Sequence, residues 1–444
     1  FFFAFVIRLI ALNQSLWLDE AVTANVVMSY GFTEIVSKFS PTDFHPPLYY
    51  LFMKLWSNVF GYSEITLRMP SVLLSLMTGY VVYLIGGVWS AIFFLFNPLI
   101  VYYSQEARMY MMTTLLLTTA LYFFLLIFKK LDSRLPFDGT QGKRGNDMWF
   151  GLFISLAFLT FYGSIFLIIT MLVYLLFKKQ YKFFIVSLSI FIVSLLIVSP
   201  LLYKQIINSK VVLTNVANWS LVLGKANIKN LLLIPVKFSI GRISFYPKWL
   251  YWGIAGIWTG FVLRTILIRS VLIKRVLFLF IFPLILGFLA SFFTPMLQYF
   301  RFIYLIPIMS IVLGIGLQSR DDRSKIVIQY VILFGFVVFS LIYLLLPQFH
   351  REDWKSLVSN LPKDKPVYMI TASSDPVKYY SKNLKIIPLR SDFIGTTEGQ
   401  EEIVVIPYTS EIYGFDYKNV LSKAGYNLKK EVSFREVTCE QWVK

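Results

Sequence analysis

Phe183-Phe184-Ile185-Val186-Ser187-Leu188-Ser189-Ile190-Phe191-Ile192-Val193-Ser194-Leu195-Leu196-Ile197-Val198-Ser199-Pro200-Leu201-Leu202-Tyr203 contains no charged residue. A helix rises about 1.5 Å per residue, so such a run is long enough to cross hydrocarbon of about 30 Å. Ile326 to Phe349 repeats the pattern. Across 444 residues the composition is 57% hydrophobic and 18% aromatic but only 15% charged, where a soluble domain carries about 25% charged residues. The chain therefore reads as a polytopic α-helical membrane protein.

Apolar spans predict about eleven transmembrane helices, at roughly 1–12, 70–88, 89–104, 109–128, 149–162, 163–177, 183–201, 249–268, 276–293, 302–317 and 326–346. The chain starts at Phe1, with only about a dozen residues, all apolar but Arg8, before Asn13. That start is expected to be a first transmembrane helix lacking its beginning, which leaves a signal peptide unjudged. Orientation follows from basic loops. Lys129, Lys130, Arg134, Lys143 and Arg144, then Lys178, Lys179 and Lys182, then Arg264, Arg269, Lys274 and Arg275, then Arg320, Arg323 and Lys325 fall on one side if the helices alternate. The positive-inside rule makes that side cytoplasmic. The expected product is a multi-pass plasma-membrane protein, with 13–69, 201–248 and everything after Leu346 facing outward.

Between Pro70 and Leu346 the only acids are Glu106, Asp132, Asp138, Asp147, Asp321 and Asp322, and all but Glu106 sit in expected cytoplasmic loops. Glu106 falls at an outer helix end, where it can join Asp19, Glu20, Glu34, Asp43 and Glu64 of the first outer loop. The adjacent pair in Leu16-Trp17-Leu18-Asp19-Glu20-Ala21 is costly at a membrane surface, which points to chemistry. No carboxylate lies at the midplane, which argues against an ion-coupled transporter.

The basic excess is equally uneven. After Leu346 there are fourteen Lys or Arg against thirteen Asp or Glu, so nearly all of the net +18 belongs to the membrane part. Residues 201–250 hold Lys204, Lys210, Lys225, Lys229, Lys237, Arg242 and Lys248 with no acid. Such a surface suits an anionic lipid or phosphate headgroup, and equally suits a solvated loop. Nucleic acid is not an expected partner, because the basic residues lie at membrane surfaces.

His45-Pro46-Pro47 pre-sets a helix start, and Leu48, Leu51, Phe52, Leu55 and Val59 follow at helical spacing with Lys54 and Asn58 off the stripe. That helix is expected to lie along the interface, with His45 over the same surface as Asp19. Arg68 sits where the second span leaves the outer surface. At the outer end of the third span, Tyr102-Tyr103-Ser104-Gln105-Glu106-Ala107-Arg108-Met109-Tyr110 is dense in hydrogen-bonding groups. It reads either as a polar inter-helix turn or as part of a site.

Several of these stretches, in order and spacing, resemble the GT-C membrane glycosyltransferases. They are Leu16-Trp17-Leu18-Asp19-Glu20-Ala21, His45-Pro46-Pro47-Leu48-Tyr49-Tyr50, Phe60-Gly61-Tyr62-Ser63-Glu64 with Leu67-Arg68-Met69-Pro70-Ser71, and Tyr103-Ser104-Gln105-Glu106-Ala107-Arg108-Met109-Tyr110. Within that class the resemblance is to the protein O-mannosyltransferase and lipid A aminoarabinose transferase group, glycosyltransferase family thirty-nine, in its prokaryotic branch. It covers roughly the first 110 residues and returns loosely at Gln298-Tyr299-Phe300-Arg301-Phe302-Ile303-Tyr304. The chain departs from it at Phe161-Tyr162-Gly163, where relatives often carry His, so a metal site built on such a His does not carry over.

The resemblance implies sugar transfer from a polyprenyl-phosphate donor to a protein, lipid or glycan acceptor on the external face. Asp19 matches the family's catalytic aspartate. A positioned carboxylate can take the acceptor proton as the hydroxyl attacks. A lipid phosphate leaves unprotonated if cations neutralise it, so one carboxylate suffices and attack opposite the phosphate inverts the anomeric centre. Neighbouring helical residues point about 100° apart. Asp19 is therefore assigned to the cleft and Glu20 to orienting a neighbour, such as a basic side chain.

Arg68, Arg108 and Arg301 are candidates for the donor phosphate, since guanidinium grips phosphate oxygens in bidentate fashion, although each also fits an arginine at a helix end. His45, Tyr103, Gln105, Glu106 and Tyr110 are candidates for substrate or acceptor contacts. Glu106 also suits a plain pair with Arg108, and His45 a cap before Pro46. His45 with Glu20 or Glu106 does not form a defined ligand spacing, so no cofactor is assigned and a divalent metal stays open.

After Leu346 the character changes. Pro366–Ile370 and Glu402–Ile406 read as short buried strands, with helices around 353–360, 375–381 and 418–424. Residues 347–444 are expected to form a small extracytoplasmic α/β domain on a transmembrane domain spanning 1–346. Arg351-Glu352-Asp353-Trp354 and Tyr379-Tyr380 again resemble the family's external domain, whose job is acceptor engagement, covering the cleft or support. Cys439 is the single cysteine, so no intrachain disulfide forms. The Asp138-Gly139-Thr140-Gln141-Gly142 stretch lacks the spacing of a phosphate-binding loop, which disfavours a nucleotide sugar. Two other readings keep parts of this picture: a polymer ligase using a diphosphate-linked donor, and a lipid-linked glycan transporter or binding protein.

Overall fold

Apolar runs away from water must satisfy their backbone polar groups internally, and helices do so within one segment. The computed structural model describes residues 1–128, 145–266, 271–318, 324–390 and 392–444. Among these, five helices are long and apolar enough to cross a membrane: Glu64–Leu95, Tyr110–Phe128, Tyr181–Asn215, Tyr299–Gln318 and Ser324–Leu345. Shorter apolar helices run Asn146–Thr160, Tyr162–Phe177 and Val276–Ala290. The loop residues Lys129, Lys130, Asp132, Arg134, Asp138, Lys143, Arg144, Arg269, Arg320, Asp321, Asp322 and Arg323, and the side chains of Lys274 and Arg275, lie outside the described residues.

The long segment Glu64–Leu95 covers two expected spans. It breaks at Gly87, whose φ of 76° and ψ of −171° suit glycine almost alone. Arg8 shows which way the chain goes next: its Nε donates to Ser75 Oγ (2.9 Å) and its Nη2 to the Leu95 carbonyl (2.8 Å). Residues on either side of Gly87 thus lie side by side, and the chain has turned back on itself. Ser71 Oγ donating to the Glu106 carbonyl at 2.6 Å closes the same hairpin at its other end. A short helix, Pro98–Tyr103, then delivers the polar turn that precedes Tyr110–Phe128.

The interfacial helix forms over Leu48–Phe60. Its inward face is Tyr49, Tyr50, Met53 and Ser57, while Leu55 and Val59 stay exposed at 60% and 69%. The apolar stripe read from the sequence thus partly faces outward, as a helix lying along hydrocarbon would have it.

Residues 201–248, expected as an outer loop, are largely helical instead. The seventh expected span continues through Pro200 to Asn215, and Trp219–Leu223 and Ile228–Ile240 follow. The extension is held by polar anchors invisible to hydropathy. Gln205 Nε2 donates to the carbonyls of Ser40 (2.8 Å) and His45 (2.9 Å), and Asn208 Nδ2 to that of Pro41 (2.5 Å). The proposed cationic surface loses two members, because Lys237 turns inward onto the Ile243 carbonyl (3.1 Å) and Arg242 donates to the Tyr102 hydroxyl. Lys204, Lys210, Lys225, Lys229 and Lys248 remain exposed.

The C-terminal region builds a five-stranded sheet from β1 (Val367–Met369), β2 (Ile386–Pro388), β3 (Glu402–Ile406), β4 (Asn427–Phe434) and β5 (Val437–Val443), ordered β2-β1-β3-β5-β4. The first three strands are parallel and β5 is antiparallel to both neighbours. Helices Trp354–Ser359, Asp375–Tyr380 and Tyr417–Lys423 fall where the sequence placed them. Apolar clusters form on both faces, one around Trp354 and Val377 and one around Tyr368 and Tyr426. The domain docks on the first outer segment: the Leu16 N–H donates to the Tyr380 hydroxyl (2.8 Å), and the Tyr379 hydroxyl to the Tyr62 carbonyl (2.8 Å).

Helix 306–318 packs closely on the returning arm of the hairpin. A Cβ added at Gly314 would stand 2.6 Å from the Ser90 backbone nitrogen. Gly314→Ala is expected to push the two helices apart and cost about 1–3 kcal/mol, read as a lower thermal unfolding midpoint in detergent. An unchanged midpoint would contradict the close approach.

Candidate active site

Helix Leu18–Ser29 begins with both acids in its first turn, where the positive end of the helix dipole favours them. Their side chains part company. Glu20 is fully buried and accepts from Arg68 Nε (2.8 Å), Arg68 Nη2 (2.5 Å) and the Ala107 N–H (2.7 Å). Asp19 keeps a side-chain exposure of 36% and lies 3.6 Å from Arg108 Nη2. Arg108, itself 4% exposed, also reaches the Asp19 carbonyl and the Tyr50 hydroxyl, each at 3.4 Å. Asp19 is therefore the accessible carboxylate of the pair, and Arg108 holds it from behind.

Arg68 does not present a free guanidinium. Besides Glu20, it donates Nη1 to the carbonyls of Leu12 (2.9 Å) and Gln14 (2.7 Å) and Nη2 to that of Ser15 (3.0 Å). All five N–H donors of the side chain are thereby used inside the fold. The expected phosphate contact is corrected on this ground: Arg68 is a clamp that ties Glu20 to the carbonyls of residues 12–15. Gln105 likewise turns its amide nitrogen inward, Nε2 donating to the Arg8 (2.9 Å) and Ile10 (2.6 Å) carbonyls, while its Oε1 is buried without a hydrogen-bond partner.

Arg301 behaves differently. Its guanidinium lies 5.8 Å from the Phe300 ring centroid, and among the described residues it has no side-chain hydrogen bond or ion pair. Asp19 and Tyr110 are within its electrostatic reach. Tyr110 and Tyr103 are buried and meet edge-to-face at 4.9 Å, and Phe300 closes on Tyr110 at 5.8 Å. Phe300 thus touches both the Arg301 guanidinium and the Tyr110 ring.

Glu106 pairs with Arg351 rather than Arg108: Arg351 Nη2 and Nε lie 2.9 and 3.1 Å from Glu106 Oε1. Burial pushes the Glu106 carboxyl above its ordinary range, against the pull of Arg351. Its Oε2 is buried without a hydrogen-bond partner. The Arg351 guanidinium also stacks 3.6 Å from the Trp17 ring centroid.

His45 stacks on Phe161, with ring centroids 6.3 Å apart, and its Nδ1 lies 3.4 Å from Asp43 Oδ1. Burial pushes the Asp43 carboxyl up, but the charges of His45 and Arg108 outweigh it and hold it below the usual value. Among the described residues no cluster of three His, Cys, Asp or Glu could hold a metal ion. Glu20 and Glu106, the carboxylates considered with His45, are each committed to an arginine. Among the described residues, His45 with Glu20 or Glu106 does not make up a metal-ligand set.

The sequence placed Asp43 among the outer acids and Arg351 in the external domain, but assigned neither its partner. Asp43 stands two positions before His45, a local signal for that pair. Arg351 reaches Glu106 from 245 residues along the chain, a pairing that no spacing records.

The fold is that of the GT-C proteins among the solved structures below. Residues 44–203 match the family model described as dolichyl-phosphate-mannose-protein mannosyltransferase. No curated protein matches the chain. Among solved structures, ArnT from Cupriavidus metallidurans in the apo state is 13% identical with a TM-score of 0.60, the match covering 98% of this chain and 96% of that one. The same protein bound to undecaprenyl phosphate gives 13% and 0.58 over 99% and 96%. The archaeal oligosaccharyltransferase AglB from Archaeoglobus fulgidus, in complex with an inhibitory peptide and a dolichol-phosphate, gives 12% and 0.53 over 92% and 69%. The GT-C resemblance is thereby shown in the fold and in the family model.

Removing one partner of a buried ion pair strands the other charge at a cost of about 3–5 kcal/mol. Arg68→Ala is accordingly expected to lose folded protein, measured as monodisperse yield and unfolding midpoint in detergent. A well-folded Arg68→Ala variant with only a raised donor KM would restore Arg68 as a phosphate ligand.

Proposed function

We propose that this chain is an inverting glycosyltransferase that moves a sugar from a polyprenyl-phosphate donor to an acceptor hydroxyl on the outer face of the membrane. The observation that carries the reading is the juxtaposition of one accessible carboxylate, Asp19, with one arginine, Arg301, that no carboxylate neutralises among the described residues. A carboxylate and a separate cation are what the two ends of this reaction need. The family model over residues 44–203 and the fold shared with ArnT and AglB, proteins solved with undecaprenyl phosphate and dolichol-phosphate, support the same donor class.

In this reading the acceptor oxygen attacks the anomeric carbon while Asp19 takes its proton. The bond from that carbon to the phosphate oxygen breaks with its electron pair, and the lipid phosphate leaves as an anion. Arg301 meets the charge that develops there, which stabilises the transition state more than the ground state. Arg108 holds the Asp19 carboxylate in place, and Glu20 with Arg68 holds the helix that carries it. Tyr103 and Tyr110 line the sugar side, and His45 on Asp43 lines the loop side. Residues 1–346 form the transferase domain, with its catalytic segment in 13–69, and residues 347–444 cover it from outside the cell.

Asp19→Asn is expected to lower transfer of label from radiolabelled polyprenyl-phosphate sugars by about 10²–10⁴-fold, with donor binding retained. Turnover at the parental rate would remove the general base from the mechanism. Arg301→Ala is expected to raise the donor KM at least tenfold, since a hydrogen bond to a charged group is worth about 1.5–3 kcal/mol. An unchanged donor KM would move the phosphate elsewhere.

A further inference from the structure

The first residues of the C-terminal domain run beside the segment that leads into Asp19. Arg351 stacks on Trp17, two positions before Asp19, and the Lys355 N–H donates to Ser15 Oγ at 3.1 Å. Glu352 lies between these two anchors. It is only 7% exposed, and its Oε1 accepts from the Tyr408 hydroxyl at 2.9 Å. The other oxygen, Oε2, is buried with no hydrogen-bond partner. Tyr408 is in turn fixed edge-to-face against Trp354, with ring centroids 4.9 Å apart. The two anchors, Arg351 on Trp17 and Lys355 on Ser15, set the pair beside the segment that leads into Asp19.

A buried carboxylate oxygen left unpaired costs free energy that an ordinary folded domain avoids. Tyr408 already supplies one donor to Glu352, and the free oxygen can take another from outside the chain. An anionic group is disfavoured there, because it brings no donor to a carboxylate oxygen and is repelled by its charge. A neutral hydroxyl or amide N–H is favoured.

We propose that Glu352, held by Tyr408, binds the acceptor beside Asp19 through a hydroxyl or N–H that the acceptor donates, and thereby selects an uncharged acceptor over a phosphate-bearing one. The C-terminal domain then forms one wall of the acceptor site. Glu352 makes and breaks no bond to the sugar. The assignment rests on the transferase reading, and its test separates the two.

Membranes carrying the full chain are supplied with radiolabelled polyprenyl-phosphate-mannose, -glucose and -aminoarabinose. For the donor consumed, label joined to acceptor and label released by water as free sugar are measured separately. Glu352→Gln is expected to lower the ratio of transfer to hydrolysis at least tenfold, hydrolysis falling less than transfer. Tyr408→Phe keeps the ring and is expected to shift the ratio in the same direction by less, and Glu352→Asp to recover part of the loss. The chain from unaltered membranes should also transfer to octyl mannoside in preference to octyl phosphate. An unchanged ratio in Glu352→Gln, a parallel loss of transfer and hydrolysis, or a preference for octyl phosphate would each overturn the assignment while leaving the transferase reading intact. No consumption of any donor would overturn both.

Discussion

Glu20 and Arg68 are buried together, and neither charge has water to return to. Burial of an ion pair is costly unless every remaining lone pair and N–H is used, and here they are: Arg68 spreads its donors over Glu20 and the carbonyls of Leu12, Gln14 and Ser15, while Glu20 also accepts from the Ala107 N–H. The contact joins the end of the first helix, the start of the helix bearing Asp19, the first arm of the hairpin and the turn holding Glu106 and Arg108. Three separate stretches of chain, at 12–20, 68 and 107, are set against one another by one ion pair. The accessible carboxylate stands where it does because its neighbour in sequence is tied down.

Around that knot the arginines divide by what they touch. Arg68 is consumed by the fold, Arg108 supports Asp19, Arg351 couples the C-terminal domain to Glu106 and Trp17, and Arg301 is left facing the rings of Phe300 and Tyr110. The side chains have the same formal charge, yet among the described residues Arg301 alone of the four commits none of its donors to a carboxylate or carbonyl, while Arg108 leaves only its buried Nε without a partner. Local partner supply, rather than charge alone, decides which arginine can meet an anionic ligand. The same logic applies to acids, where Asp19 is accessible, Glu20 is fully paired, and Glu106 and Glu352 each keep one oxygen without a partner.

The C-terminal domain is more than a cap appended to a helical bundle. Its opening residues lie along 15–17, its Tyr379 and Tyr380 hydroxyls reach the first outer segment, and Asn25 Nδ2 donates to Asp375 Oδ1 at 2.8 Å. Such contacts bring groups more than 300 residues apart to one cleft. A carboxylate at position 352 then shares surroundings with one at position 19.

Much of this was legible in the residues themselves. Charge-free runs such as 183–203 determine helices, because hydrocarbon leaves the backbone no other partner. His45-Pro46-Pro47 marks a helix start, and the buried strand at 402–406 is written in consecutive β-branched residues. The adjacency of Asp19 and Glu20 dictates that only one can face a given atom. The reversal at Gly87, the continuation of the seventh span to Asn215, and the later strands β4 and β5 were not legible, since they depend on partners far away in sequence: Ser75 with Leu95 across Arg8, Gln205 with the Ser40 and His45 carbonyls, and β3 for β5. For the same reason the sequence alone determined which residue types could do chemistry, and only the tertiary structure decided which of them are free to do it. A side chain's capacity to bind is what remains after the fold has taken its share of hydrogen bonds, and that remainder is set by distances in space that no spacing along the chain records.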